Sequence, residues 1–86
     1  MTDQTVIAVA SIITAGLTMA LGALGAAMGE SRISTAAMDA LARQPDEASS
    51  ITRTLFVSLA MVESTAIFCL VIALILLFAN PFTGRG

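Results

Sequence analysis

The sequence predicts an all-α membrane protein, an antiparallel hairpin of two transmembrane helices. Three observations carry that expectation. The 86 residues are 57% hydrophobic and only 12% charged, whereas a water-soluble domain this small must cover much of its surface with polar groups. Two runs, 6–29 and 55–79, hold one charged residue between them, and each exceeds the roughly 20 residues a helix needs to cross a hydrocarbon core of about 30 Å. Between them lies a polar segment with a proline. Lipid offers the backbone no hydrogen bonds, so each run must span as an α-helix.

The elements follow in order along a single hairpin. Helix 1 is expected over about 5–42, since "RISTAAMDALA" after the first apolar run contains no breaker. The start "MTDQT" carries Asp3 and no Lys or Arg, and the apolar stretch is too long for the core of a secretory signal, so the signal-peptide reading is rejected. Pro45 ends helix 1 at or before Gln44 and makes "ARQPDEASS" the turn, about 43–48. Ser49 or Ser50 is the expected N-cap of helix 2, over about 49–79, which Asn80-Pro81 stops ahead of a short external tail. Arg32, Arg43 and Arg53 flank the loop against Arg85 alone at the outer ends. Basic residues stay on the cytoplasmic side, so the loop is predicted to be cytoplasmic.

Composition also excludes whole classes of function. A net charge of −2 with no histidine and no basic patch gives nucleic acid nothing to bind. Without histidine there is no Ser–His arrangement, and the sequence contains no phosphate-binding loop. The chain is not expected to be an enzyme by itself. Cys69, the one cysteine, cannot form an intramolecular disulfide and reads as a small apolar residue.

Small residues occupy alternate positions near the end of the first run: Ala23, Gly25, Ala27, Gly29, Ser31. On a helix Ala23, Ala27 and Ser31 form one stripe, and Gly25 and Gly29 form another rotated by roughly 200°. Two thin faces let a helix approach a neighbour on each side, as a closed ring of heterologous contacts requires. The plainer alternative is that the glycines merely pack helix 1 on helix 2.

The ionisable residues carry the functional reading. Glu63 stands in "AMVESTAIF", about eight residues and roughly 12 Å into its apolar run. An ionised side chain near the bilayer centre costs about 2.5–3.5 kcal/mol by insertion scales, which makes function the default interpretation. Glu30 sits just past the other run, and folding the chain about residues 45 to 47 brings it within about one helical turn of Glu63 in depth. Ser31, Ser64 and Thr65 place hydroxyls nearby; Ser64 and Thr65 serve the site or bond back to the carbonyl one turn earlier. Arg32 and Arg53 lie nearer the headgroups and snorkel outward. The pair is therefore expected to hold at least one proton or a metal cation.

The small-residue helix, the Arg-Gln-Pro loop and a mid-membrane carboxylate on a helix ending in Asn-Pro together resemble the c subunit, the rotor-ring proteolipid, of rotary F-type ATP synthases. The resemblance covers essentially the whole chain: "ARQPD" (42–46) is similar to that family's polar loop, and "VESTAIF" (62–68) with "IALILLFANPF" (72–82) to its ion-carrying helix. Glu30-Ser31 ahead of Val62-Glu63-Ser64-Thr65 resembles the N-type branch, which carries a second carboxylate.

This resemblance implies a homo-oligomeric ring of hairpins, with helix 1 inside and helix 2 outside among membrane lipids of a bacterial inner membrane. Glu63 would release its ion at the arginine-bearing a subunit of the stator and regain one from the opposite half-channel. Arg43, Gln44 and Pro45 would rest against the gamma and epsilon subunits of the central stalk. Glu30, Ser64 and Thr65 match positions that ligate Na⁺ in sodium-driven members, with a backbone carbonyl from Met61. Phe68, however, stands where sodium binders carry a tyrosine, and Glu30 replaces a neutral glutamine. One Na⁺ between two carboxylates would leave a charge of −1, so H⁺ is the preferred cargo and Na⁺ the alternative. No cofactor is implied. Two other classes remain: a small oligomeric channel or transporter with Glu30 and Glu63 lining its pathway, and a purely structural assembly component.

Overall fold

The computed structural model describes residues 2–82. Helix α1 runs Asp3–Arg43, a 3-10 turn occupies Pro45–Glu47, and helix α2 runs Ala48–Phe78. The two helices lie side by side over their length in a body of 64 × 19 × 9 Å. Both are long and apolar enough to cross a membrane. Arg85 and the other residues after Phe82 lie outside the described residues.

Local chemistry explains where each element starts and stops. Thr2 caps α1: its hydroxyl accepts from the Thr5 N–H at 3.1 Å, and Asp3 sits in the first turn where the helix dipole favours negative charge. At the other end Arg43 complements the carbonyl end of the same helix. The Gln44 N–H still donates to Ala40 O at 2.9 Å, after which Pro45 opens the 3-10 turn.

The expected serine N-cap is not used. Ser49 and Ser50 lie inside α2, and Glu47 takes the N-cap position without a side-chain hydrogen bond. The reason is the 3-10 turn, which feeds its backbone directly into α2: Glu47 N–H donates to Gln44 O at 3.0 Å and Ala48 N–H to Pro45 O. With those donors already paired, a capping hydroxyl has less to satisfy.

Among the described residues, only small or polar ones are buried within the hairpin: Ser11, Ala15 and Ala37 on α1, Ala73 and Asn80 on the other arm. Small side chains let the backbones approach closely, which is how helices associate where lipid removes the hydrophobic drive. The large apolar residues point the other way. Leu21, Met61, Phe68 and Phe78 are each more than 60% exposed, a surface that requires lipid or further protein around it.

At the outer end the arms are tied by polar contacts. The Asn80 side-chain amide donates to Ser11 Oγ across the hairpin and to Leu76 O at 3.2 Å. Its carbonyl oxygen accepts from the Phe82 N–H at 2.8 Å. Asn80 is only 4% exposed. Beyond stopping α2, it therefore fastens the end of α2 to α1.

Candidate ion-binding site

The antiparallel fold places Glu30 and Glu63 in one pocket of about 250 Å³ on a flank of the hairpin. Ala23, Ala26 and Ala27 of α1 and Ala66 of α2 form its floor, with Met19, Ile67 and Leu70 beside them. The alanines are what make the pocket possible, since larger side chains would fill it. The two carboxyl-bearing residues are neighbours in this one pocket. A hydrogen bond between two such groups would need a proton on one of them, because ionised carboxylates can only accept. Glu30 is half-buried against α2, while Glu63 is exposed on the flank.

The sequence-predicted supporting residues do not line this pocket in the single hairpin. Met61 and Thr65 each stand two positions from Glu63, about 200° around the helix, and both are exposed. The Ser64 hydroxyl donates to Ala60 O at 3.0 Å, one turn back along its own helix. Ser31 is exposed. What the hairpin brings together is the carboxylate pair and its alanine floor.

The small residues of α1 divide between environments. Ala23 and Ala27 border the carboxylates. A side chain built on Gly25 would meet nothing within 4 Å, whereas one on Gly29 would touch Val62 at 3.6 Å. Gly25 thus lies on an open surface and Gly29 on the inner seam. In the loop, Arg43, Gln44 and Pro45 are all exposed at the tip of the hairpin.

Sequence reasoning treats Asn80 only as a helix stop and passes over Ser11. Their signal was a pair of polar residues near the outer ends of both apolar runs, at matching depths once the chain is folded back. An isolated polar residue at a membrane edge is too common to single out without the partner helix in place.

Comparison of the sequence with known proteins gives the family. Residues 13–76 match the family of the ATP synthase C subunit. The chain is 60% identical to ATP synthase c subunit 2 of Cereibacter sphaeroides over 84 residues, covering 98% of this chain and 100% of the relative. It is 46% identical to the chloroplastic ATP synthase c subunit of Antithamnion sp., covering 94% and 99%. With the ATP synthase c subunit of a Synechococcus strain the identity is 49%, covering 85% and 90%. The chain belongs to the ATP synthase c-subunit family, whose members are non-catalytic components of the membrane sector and whose ring assembly is known.

Proposed function

We propose that this chain is the ion-carrying rotor component of a rotary ATP synthase of the N-type branch, with Glu63 as the group that loads and unloads H⁺. The observation that carries this reading is the Glu30–Glu63 pair, which opens on the flank of an apolar hairpin with no basic residue lining its pocket. Two carboxyl groups lining one such pocket share one proton more readily than they accept Na⁺. One bound Na⁺ between two ionised carboxylates leaves a net negative charge in a desolvated site.

In the ring, Glu63 and Glu30 of one hairpin face the flank of the next. Met61 and Thr65 lie on the opposite flank of α2 and complete the site of the neighbouring hairpin. A neutral Glu63 passes through lipid as the ring turns, because the cost of exposing an ionised group there has been removed. At the a subunit of the stator, an arginine stabilises the ionised carboxylate and releases its proton, and a second half-channel returns one. The exposed loop at Arg43, Gln44 and Pro45 meets the gamma and epsilon subunits of the central stalk, so that rotation reaches the nucleotide-binding sector. The loop lies on the cytoplasmic side of a bacterial inner membrane.

The test is Glu63→Gln in membranes that carry the full complex. Ion-driven ATP synthesis falls to background, and a carbodiimide that modifies Glu63 of the native ring finds no target in the variant. Protection of Glu63 from labelling by Na⁺ at constant pH would reassign the cargo. Intact coupled synthesis in Glu63→Gln would reject the rotor reading.

A further inference from the structure

The tightest approach between the arms at any described glycine lies away from the carboxylates. An ideal Cβ built on Gly22 would stand 2.6 Å from Cys69 Sγ and 2.8 Å from Cys69 Cβ. Real Cβ atoms do not sit that close to a neighbour. Hence α1 and α2 meet here at a distance that only glycine on one side permits. At Gly29 an added Cβ would make ordinary contact with Val62, and at Gly16 and Gly25 it would meet nothing within 4 Å. The tight contact is specific to one level of the hairpin.

That level stands in a fixed relation to the ion site. Gly22 lies eight residues before Glu30 and Cys69 six residues after Glu63, or about 12 Å and 9 Å at helical rise. The arms are held at both ends, by the 3-10 turn at one and by Asn80 on Ser11 at the other. A wedge between those ends cannot be relieved by letting the hairpin fall open. It must bow the arms apart along the stretch that carries the carboxylates.

We propose that the Gly22–Cys69 contact is a positioning element of the ion site, setting the helix separation at which Glu30 and Glu63 share a proton. The inference rests on the pair being that site. Gly22 and Cys69 do not line the carboxylate pocket, and Glu30 and Glu63 are the titratable groups that do. Restoring normal contact at Gly22, about 3.5–4.0 Å between carbons, from the 2.8 Å an added Cβ would have, moves the arms apart by roughly 1 Å. A hydrogen bond between two carboxyl oxygens tolerates little of that displacement.

The test compares Gly22→Ala with the double variant Gly22→Ala/Cys69→Gly in membranes bearing the full complex. Two readouts are taken: coupled ATP synthesis, and the pH profile of carbodiimide labelling at Glu63. Gly22→Ala lowers coupled synthesis about tenfold and displaces the labelling profile. The double variant, with side-chain room exchanged across the seam, restores both. An unchanged profile in Gly22→Ala would overturn the proposal. So would failure of Cys69→Gly to rescue, whether through lost assembly or lost coupling, because the role of Gly22 would then lie outside the hairpin seam. Absence of labelling at Glu63 in the native ring would instead remove the ion-site reading itself.

Discussion

Two polar clusters sit in this apolar hairpin, and they are built differently. At the outer end Asn80 is almost wholly buried and its amide is spent on Ser11, Leu76 and Phe82 of the same chain. Near the loop-side half, Glu30 and Glu63 stand together in a pocket open to the flank. A group that only holds helices together is best enclosed and fully paired, because every unmade hydrogen bond in lipid is costly. A group that exchanges an ion must keep an open side and an unfinished set of partners. On the proposed function, the difference between the clusters is a difference between fastening and exchange.

That contrast orders the variants. Glu63→Gln has the largest effect: it leaves a side chain that cannot change charge, and ion-driven ATP synthesis drops to background. Next comes Glu30→Gln, which removes the second carboxyl from the pair and lowers coupled synthesis at least as far as Gly22→Ala, about tenfold. Carbodiimide labelling of Glu63 at fixed pH then differs from that of the native ring, because the carboxyl beside it in the pocket is gone. Asn80→Ala follows and affects the other cluster alone. Removing one interhelical hydrogen bond costs about 0.6 kcal/mol and at most about 1.7, read as a lower melting temperature of the isolated ring with the labelling profile unchanged. An Asn80→Ala ring with a displaced profile would break the separation between fastening and exchange.

Ser64→Ala is the smallest. The Ser64 hydroxyl is engaged with Ala60 O along its own helix, and such back-bonding adds little to helix stability. Coupled synthesis and the labelling profile both stay at native values. A large loss would place the hydroxyl in the site once a neighbouring hairpin is present.

How much of this could be read from the sequence depends on which coordinate is asked for. Depth was legible. Helical rise is fixed, so a fold-back near Pro45 sets Glu30 against Glu63 and Ser11 against Asn80. The two-helix class was equally legible, because charge-free runs of that length have no other stable form in lipid. Azimuth was harder. Periodicity says that Met61 and Thr65 stand about 200° from Glu63, but not which side of α2 faces α1 when the helix is apolar all round. The seam is instead set by where backbones can approach, at Ala15, Gly22, Ala37 and Ala73, and alanines also occur on the outer faces. The turn was misjudged for a related reason. Serines after a loop invite an N-cap, yet Pro45 starts a 3-10 turn whose own carbonyls take the first donors of α2.

The central claim is that the carboxylate pair in an assembled ring holds a proton while it faces lipid. Infrared spectroscopy of purified rings in lipid at neutral pH, without Na⁺, reads this directly through the carbonyl band of a protonated carboxyl. One such band per hairpin, lost in Glu63→Gln, is the predicted result. Two fully ionised carboxylates per hairpin, with no metal bound, would contradict it.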